Sequence, residues 1–425
     1  DLGLHTVAMY SNEDTFSLFR TKADEAYLIG ENKSPLGAYL DIPSIIDLAR
    51  RRNVDAIHPG YGFLSENADF ARACEEAGIQ FIGPSSKILD LMGDKLSAKQ
   101  IAVACGVPTT PGTTEPLKSR EAAQKLAMEF GFPVILKAAA GGGGRGIRKV
   151  ERAEDAGRAF TEAHAEAEAA FGDGEGYMEK FVSPAHHVEV QVLADAHGNV
   201  VSLGERECSV QRRNQKLIEE SPAPCLDAHP GVRERMHKAA RDLTRATGYV
   251  GVGTIEFLFA DDGSFYFMEM NTRLQVEHPV TEFVSGVDLV KWQLRVASGA
   301  ELPFSQDDVH IQNHAIECRI NAETPEFLPS CGDVTMLHVP GGPQVRFDSA
   351  LYVGAVVPPY YDSLLGKLIV CSSTREEAIR KMRSALGELV IEGVAENSEL
   401  HLDILANPEF VSGNYHTNLM EHLYE

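Results

Sequence analysis

The chain has 425 residues and a formal net charge of −23, with 44% hydrophobic and 24% charged residues. This length exceeds one ordinary hydrophobic core and predicts two to four domains. The acidic balance argues against binding of nucleic-acid phosphates, and no apolar run is long enough to span a membrane. Seven cysteines without a Cys-x-x-Cys pair indicate free thiols in a reducing compartment, so we expect a cytoplasmic protein.

Short apolar strands alternate with helices over roughly the first eighty residues. We predict strands at 6–10, 56–58 and 79–82 and helices at 42–52 and 67–77. This rhythm is typical of a doubly wound parallel sheet, and residues 58–62 follow a strand at the end where such sheets bind ligands. The chain starts abruptly on what resembles a helix end, so we expect a further strand and helix upstream.

A predicted helical linker at 87–105 leads to a second unit that contains a glycine run. The predicted strand at 134–138 carries Lys137 and enters four consecutive glycines at 141–144. Glycines let backbone N–H groups close around phosphate oxygens, and Lys137 adds a positive charge. The run therefore predicts phosphate binding, with a flexible loop that binds nothing as the alternative.

The most informative segment is a predicted hairpin around residue 260. A strand at 254–260 and a turn at 261–264 precede a second strand that starts at Phe265. If Ala260 pairs with Phe265, then Glu256 lies opposite Glu269, and like charges in that position repel each other. A divalent cation between the two carboxylates removes the repulsion, and such oxygen ligands suit Mg²⁺ that carries nucleotide phosphates. A solvated polar face is the alternative.

Polar residues recur at every second position after this turn. Period two places them on one face of an extended segment, and they are Glu269, Asn271, Arg273, Gln275 and Glu277. A basic cluster at 211–216 stands out in an acidic chain and suits phosphate or another small anion, although a solvated loop explains it equally well.

The order of these motifs resembles the biotin carboxylase component of biotin-dependent carboxylases, within the ATP-grasp superfamily. The resemblance covers nearly the whole chain, and the block 269–280 is its most specific part. The other matching motifs lie at 58–67, 92–95, 187–189, 205–209, 211–216, 317–321 and 358–363, together with the glycine loop after Lys137. Two positions depart from the family pattern. The family usually has glycine where this chain has Ala140, and it often has histidine where this chain has Asn214.

The resemblance implies an α/β (α+β) ATP-grasp fold. It has an amino-terminal doubly wound parallel-sheet domain, a small lid domain and a mixed, β-rich carboxyl-terminal domain. The implied boundaries are 1–82 for the first domain, 83–109 for a helical linker, 110–181 for the lid and 182–425 for the last domain. Within the last domain, 182–310 is the second half of the ATP grasp and 311–425 is the biotin carboxylase carboxyl-terminal region.

The resemblance also implies roles for individual residues. The implied ATP-binding residues are Lys95, Lys137, Gly142, Gly143, Gly144, Glu179, Lys180, Val182, His187, Gln211 and Leu258. The implied ligands of Mg²⁺ or Mn²⁺ are Glu256, Glu269 and Asn271, and bicarbonate is implied to bind Lys216, Arg273, Gln275 and Val276. Lys216, Arg273, Glu277 and Arg319 are the implied catalytic residues, with Glu277 as the general base. Arg319 is implied to stabilise enolised biotin, which Tyr61 also contacts.

The implied reaction is the Mg-ATP-dependent carboxylation of biotin on a carrier protein, with bicarbonate and through carboxyphosphate. It is the first half-reaction of acetyl-CoA carboxylase, with the same step in propionyl-, methylcrotonyl- or pyruvate carboxylase as an open alternative. A different ATP-grasp ligase or a non-catalytic ATP-binding module is less favoured, because each proposed catalytic position holds a competent residue. Since no Ala-Met-Lys-Met biotin-attachment sequence occurs, we expect a free-standing subunit. Its implied partners are the biotin carboxyl carrier protein, carboxyltransferase subunits and a second copy of itself, with Arg346 at the dimer interface.

Overall fold

The computed structural model describes residues 2–113, 115–138, 147–171 and 174–423. The predicted phosphate-binding residues Gly142, Gly143 and Gly144 lie outside these ranges. Among the residues that are described, no helix has the length and apolar character needed to cross a membrane.

The amino-terminal region alternates short strands with helices. Its elements are β1 (Val7–Tyr10), α1 (Leu18–Lys22), β2 (Glu25–Leu28), α2 (Pro35–Tyr39), α3 (Ile42–Arg51), β3 (Ala56–Ile57), α4 (Ala68–Ala77), β4 (Gln80–Phe81), α5 (Ser86–Gly93) and α6 (Lys95–Ala104). Strands β1 and β2 form one parallel pair and β3 and β4 form another, as the βαβ rhythm predicts. The predicted single linker helix is two helices, because the Asp94 side chain accepts a hydrogen bond from the backbone of Ser97 and starts a new helix.

The second region is a small antiparallel sheet covered by two helices. Its elements are α7 (Arg120–Phe130), β5 (Val134–Ala138), β6 (Arg148–Val150), α8 (Ala153–Phe171) and β7 (Gly176–Lys180). The strand order is β6-β5-β7, and apolar residues of both helices pack against the sheet. Lys137 and Glu179 lie on neighbouring strands of this sheet.

The remainder of the chain contains one large sheet, two separate two-stranded sheets and helices. Its strands and helices are β8 (His186–Ala194), β9 (Val200–Arg212), β10 (Gln215–Ser221), α9 (Val232–Thr247), β11 (Gly251–Phe259), β12 (Phe265–Asn271), α10 (His278–Ser285), α11 (Leu289–Ala297), β13 (His314–Asn321), β14 (Gly332–Asp333), β15 (Met336–His338), β16 (Val345–Ser349), β17 (Val356–Val357), β18 (Leu364–Ser372), α12 (Arg375–Glu388), β19 (Val390–Glu392), α13 (Ser398–Ala406) and α14 (Pro408–Ser412). Eight strands form the antiparallel order β12-β11-β8-β9-β10-β13-β18-β16.

Helices cover both faces of the large sheet. Helices α9 and α12 pack on one face, and α10 and α11 pack on the other. Two adjacent residues of β9 show the division, because successive strand residues point to opposite faces. Glu205 contacts His237 of α9, whereas Arg206 contacts Thr281 of α10. We call the α10 side the inner face and the α9 side the outer face.

Candidate active site

The hairpin of β11 and β12 brings Glu256 and Glu269 into register, as the sequence predicts. The predicted pairing at the turn is wrong by one residue, since Phe259 rather than Ala260 pairs with Phe265. An irregularity between Glu256 and Phe257 then shifts the register by one residue. A β-bulge of this kind places an extra residue on one strand, and here it restores the predicted pairing of the two carboxylates.

Four side chains converge on the carboxylate of Glu256. Its Oε1 accepts hydrogen bonds from Nδ2 of Asn271 (2.8 Å), Nε2 of Gln275 (2.9 Å) and Nζ of Lys216 (3.1 Å). Its Oε2 lies 3.0 Å from Nε2 of His187. Two residues of the predicted alternation, Asn271 and Gln275, thus meet at Glu256, although Gln275 is not in a strand.

The extended segment predicted up to His278 ends earlier, because β12 stops at Asn271 and α10 begins at His278. Arg273 lies in the irregular stretch between them and turns toward the amino-terminal region. Its Nε donates to Glu66 Oε2 (2.8 Å) and its Nη2 to Asn271 Oδ1 (3.1 Å). Glu66 also accepts from the backbone of Thr272 (2.9 Å), so it fixes the stretch that carries Arg273.

Lys216 is the cation at the centre of the inner face. Its Nζ lies 2.6 Å from Glu189 Oε2, 3.1 Å from Glu256 Oε1 and 2.6 Å from Glu277 Oε1. Three carboxylates on one buried ammonium group are an arrangement that ordinary folding does not require, because burial of charge is costly. Glu189 belongs to a predicted motif but was not predicted as a site residue, and its position two residues after His187 on β8 was the available signal.

Arg319 on β13 extends this network. Its Nε donates to Glu219 Oε1 (2.6 Å), and its Nη2 donates to Glu277 Oε2 (2.9 Å). Glu277 therefore links the ammonium group of Lys216 to the guanidinium group of Arg319. Both cations are predicted catalytic residues, and the structure brings them to opposite oxygens of one carboxylate.

Arg206 is a fully buried residue that the sequence analysis missed. Its guanidinium group donates to Glu189 Oε1 (2.5 Å), Gln191 Oε1 (2.6 Å), Thr281 Oγ1 (2.9 Å), Thr254 Oγ1 (3.1 Å) and Gln275 Oε1 (2.8 Å). It thereby orients Glu189 and Gln275, which both contact the central cluster. Its place between two glutamates in the motif 205–209 was the available signal in the sequence.

The electrostatics of the cluster keep its charges in place. Burial opposes ionisation of Glu277, but the charges of Lys216, Arg319 and Arg206 hold the pKa of its carboxyl well below its ordinary value. Burial likewise opposes the charge of Lys216, yet its three carboxylate neighbours raise the pKa of that amine well above its ordinary value. Glu277 is therefore ionised, and it is a weaker base than an ordinary glutamate as long as these cations surround it.

The predicted nucleotide-binding residues of the second region form an ion cluster. Glu179 is buried, and its two carboxylate oxygens contact Nζ of Lys99 (2.8 Å) and Nζ of Lys137 (2.7 Å). Lys99 was not among the predicted residues. Lys180 Nζ donates to the carbonyl groups of Gly131 (2.9 Å) and Phe132 (3.0 Å). Val182 lies in the loop after β7 and is half-buried.

The remaining predicted residues surround the Glu256–Glu269 pair and its neighbours. Lys95 Nζ lies 3.3 Å from Glu269, whose side chain is 38% exposed and so open to an approaching cation. Gln211 Nε2 lies 2.7 Å from Nδ1 of His187, and Leu258 is paired with His187 across β8 and β11. Oxygen ligands with one open carboxylate fit a divalent cation that arrives with a phosphate ligand.

Tyr61 and Val276 lie beside Lys367 of β18. The Nζ of Lys367 donates to the carbonyl oxygen of Val276 (2.6 Å) and lies 5.9 Å from the centre of the Tyr61 ring. Tyr61 is 41% exposed, so its ring is accessible from solvent. Lys367 is paired with Arg319 across β13 and β18, which places Tyr61 on the Arg319 side of the site.

Three protein-family models together match nearly the whole chain. The family model of the biotin carboxylase N-terminal domain matches residues 1–89, and the biotin carboxylase C-terminal domain matches residues 317–422. The ATP-binding domain of the carbamoyl-phosphate synthase L chain matches residues 94–305. These matches and the geometry define an ATP-grasp enzyme, an ATP-dependent ligase.

Relatives and solved structures match over nearly the full chain. Biotin carboxylase 1 of Bacillus subtilis is 49% identical over 424 residues, which are 99% of this chain and 94% of the relative. A pyruvate carboxylase component from Methanothermobacter thermautotrophicus is 47% identical, covering 99% of this chain and 85% of the relative. The crystal structure of the biotin carboxylase domain dimer of Hydrogenobacter thermophilus 2-oxoglutarate carboxylase, in complex with MgADP, ADP and bicarbonate, superposes with a TM-score of 0.96 at 47% identity. That match covers 100% of this chain and 94% of the other. The chain belongs to the biotin carboxylase family.

Proposed function

We propose that this protein carboxylates the biotin of a carrier protein, with Mg-ATP and bicarbonate as the other substrates. The observation that carries the proposal is the Lys216–Glu277–Arg319 chain, in which one buried carboxylate joins two cations at 2.6 and 2.9 Å. This is an arrangement suited to binding an anion and moving its proton. The Hydrogenobacter structure, which contains MgADP and bicarbonate, supports the same choice of substrates.

In the proposed reaction, Glu277 accepts the proton of bicarbonate. Bicarbonate would replace a carboxylate as the counter-ion of Lys216, with Arg273 and Gln275 as further donors. When Lys216 also pairs with the incoming anion, its charge lowers the pKa of Glu277 less. The pKa of Glu277 then rises, and Glu277 becomes a stronger base. The bicarbonate oxygen then attacks the γ-phosphorus, the bond to ADP breaks, and carboxyphosphate forms.

Phosphate transfer requires compensation of the negative charge on the nucleotide. Lys95, Lys137 and His187 would bind the phosphates, and Glu179, Lys180, Val182, Gln211 and Leu258 would form the rest of the nucleotide site. Glu256, Glu269 and Asn271 would hold the Mg²⁺ or Mn²⁺ that accompanies ATP and neutralises charge on its phosphates. The pairing of Glu256 with Glu269 supports this choice of ligands.

Arg319 would act in the second half of the reaction. Carboxyphosphate releases CO₂ and phosphate, and phosphate takes the N1 proton of biotin, which leaves negative charge on the ureido oxygen. A guanidinium group stabilises such an oxyanion by charge-assisted hydrogen bonds. Arg319 is held by Glu219 and Glu277, and the exposed ring of Tyr61 supports biotin entry from this side.

The parent system that we propose is acetyl-CoA carboxylase, with carrier and carboxyltransferase subunits as partners and a homodimer as the assembly. Relatives of nearly equal identity include components of pyruvate carboxylase and 2-oxoglutarate carboxylase, so those systems are the alternatives. The dimer named in the Hydrogenobacter structure supports the assembly. All seven cysteines are free, which supports a reducing, cytoplasmic location.

The proposal is tested by measuring the release of ADP from Mg-ATP with and without bicarbonate and free biotin. We expect bicarbonate-dependent release that rises when biotin is added. Glu277→Gln should lower the biotin-stimulated rate by about 10²- to 10⁴-fold, the range for loss of a general base. Glu234→Gln is the control, because this exposed glutamate of α9 lies on the outer face and pairs only at the surface. Nucleotide binding without any bicarbonate dependence would contradict a carboxylase and favour a binding module.

A further inference from the structure

A second group of ligand-type side chains lies on the outer face of the large sheet. Asp261 Oδ1 is 2.9 Å from Nε2 of His416 and 3.5 Å from Nε2 of His186. All three atoms lie within 4.8 Å of one another. His186 immediately precedes His187 on β8, so the two side chains point to opposite faces and this group is separate from the candidate active site.

The backbone holds these residues together from three parts of the chain. The amide of Thr417 donates to the carbonyl oxygen of Ala185 (3.0 Å), which places His416 beside His186. Tyr415 is buried, and its hydroxyl donates to Glu220 (2.6 Å), so the segment on the other side of His416 is also fixed. Asp261 lies in the turn between β11 and β12, where the backbone of Ala260 is hydrogen-bonded to Ser264.

Two buried polar atoms lie behind His186, at its Nδ1 rather than at the Nε2 that faces Asp261. His186 is only 2% exposed, yet its Nδ1 has no hydrogen-bond partner among the described residues, and the same holds for Oε2 of Glu207. Glu207 Oε1 lies 3.4 Å from Nδ1 of His186. A histidine that binds a metal through one ring nitrogen commonly directs its other N–H to a carboxylate, and Glu207 is in position for that role.

We propose that His186, His416 and Asp261 form a Zn²⁺ site, with water as the fourth ligand. Zinc takes nitrogen and carboxylate ligands at about 2.0–2.2 Å in a tetrahedron, so its ligand atoms lie about 3.3 Å apart. The separations of 2.9 and 3.5 Å from Asp261 bracket that value. The metal would join the segment around His416 to the start of β8 and to the hairpin turn.

The ion binds at Nε2 of His186 rather than at its Nδ1. Glu207 and Cys225 also approach Nδ1, but Glu207 is fully enclosed and Cys225 is buried. Asp261 is 54% exposed and His416 is 16% exposed, so an ion reaches the Nε2 side from solvent. Glu207, 3.4 Å from Nδ1, would then accept the N–H of His186 on the side away from the ion.

Zinc binding by the metal-free full-length chain tests this site. ZnCl₂ is titrated against a competing colorimetric chelator in buffer with excess Mg²⁺, for the wild type, His416→Ala, Asp261→Asn and His422→Ala. His422 is the matched control, because it lies in the same segment and, among the described residues, its ring pairs with Glu409 and with none of the proposed ligands. We expect one tight equivalent of zinc in the wild type and in His422→Ala, and binding at least about 10-fold weaker in the other two variants.

Two further measurements distinguish loss of the zinc site from misfolding of a variant. Co²⁺ bound at the site should give the visible absorption of a tetrahedral ion in the wild type and lose it in Asp261→Asn, whose substitution lies in an exposed turn. Zinc should raise the unfolding temperature of the wild type and of His422→Ala, and leave that of His416→Ala unchanged. Equal zinc affinity in the wild type and both ligand variants, or no tight zinc in the wild type, would overturn the proposal and leave only a hydrogen-bonded cluster.

Discussion

The two faces of the large sheet both bury glutamates, and two glutamates of the outer face differ from two of the inner face in how their oxygens are bonded. On the outer face, Glu220 accepts hydrogen bonds at both oxygens from His314, Arg375 and Tyr415. Glu205 is likewise bonded at both oxygens, by His237 and Arg233. On the inner face, both oxygens of Glu317 and one oxygen of Glu219 have no hydrogen-bond partner among the described residues.

The difference holds for these residues and not for every glutamate of a face: Oε2 of Glu207 on the outer face also has no hydrogen-bond partner among the described residues, and Glu277 on the inner face is bonded at both oxygens. A fully bonded buried carboxylate stabilises one structure, whereas incomplete bonding costs free energy unless a function requires it. The inner face also concentrates three carboxylates on Lys216, the residue that we propose as a bicarbonate ligand. The predictions below change one face at a time.

The largest expected effect is on the inner face, from Lys216→Met. The substitution removes the cation that Glu189, Glu256 and Glu277 share and also the proposed anion ligand. We expect bicarbonate-dependent ADP release to fall by at least about 10²- to 10³-fold, the cost of losing one preorganised donor. Steady-state assays with Lys238→Met as the control check this, because Lys238 is exposed on α9. A fall of less than about 10-fold would remove Lys216 from the reaction.

On the outer face, Arg375→Met should lower stability and leave the activity of the folded enzyme intact. Arg375 donates to Glu220 and to the carbonyl group of Val411, and its loss leaves a buried carboxylate with fewer partners. We expect a loss of about 3 kcal/mol in the free energy of unfolding, the lower end for breaking a buried ion pair. Urea unfolding measures it, and kcat is measured well below the unfolding temperature.

A kcat that falls together with stability in Arg375→Met would contradict the separation of the two faces. Glu234 supplies a control on α9, since its side chain is 74% exposed and Glu234→Gln should change the free energy of unfolding by less than about 1 kcal/mol.

The sequence predicted the hairpin, the Glu256–Glu269 pairing and the polar series up to Glu277 because local alternation determines which side chains share a face. Lys216 and Arg319 were implied only by the family resemblance, and Glu189 was not predicted as a site residue. The sequence placed Glu256 opposite Glu269, although the turn is one residue longer than predicted and a bulge makes up the difference. It did not predict Arg206 or Lys99, because their partners come from strands and helices distant in the sequence. The end of β12 at Asn271 was missed as well, since polar alternation continues beyond the last strand hydrogen bond.

The third prediction concerns acid stability, which the outer face should control. Burial alone would raise the pKa of Glu205, but the hydrogen bond from His237 and the charge of Arg233 lower it to about 2, from an ordinary value of 4.5. A carboxyl with a lowered pKa in the fold contributes stability above pH 4.5 and loses it as the pH falls toward 2. The contribution is on the order of 3 kcal/mol. In Glu205→Gln the free energy of unfolding should therefore fall less steeply between about pH 5 and pH 3, and equal slopes would contradict the assignment.

The smallest expected effect belongs to Glu317 on the inner face. Ionisation of Glu317 lowers the stability of the fold, whereas ionisation of Glu205 raises it. Burial raises the pKa of the Glu317 carboxyl well above its ordinary value of 4.5, and this outweighs the opposing charge of Lys367, while the charge of Glu219 adds to the rise. At neutral pH Glu317 ionises more readily in the unfolded chain than in the fold, which favours the unfolded chain. Glu317 therefore lowers the free energy of unfolding above pH 4.5 and does not lower it below that pH. Glu317→Gln should thus raise the free energy of unfolding at about pH 7 by about 1 kcal/mol, with the gain disappearing near about pH 4.

Glu219→Gln is the matched comparison for Glu317→Gln, because it removes a partner of Arg319 and should lower both stability and activity. Urea unfolding of the two variants at neutral and acid pH, together with the ADP-release assay, measures both effects. A stability loss in Glu317→Gln at neutral pH would mean that its carboxylate is ionised and paired in the fold. The two faces would then differ in composition but not in how they satisfy charge.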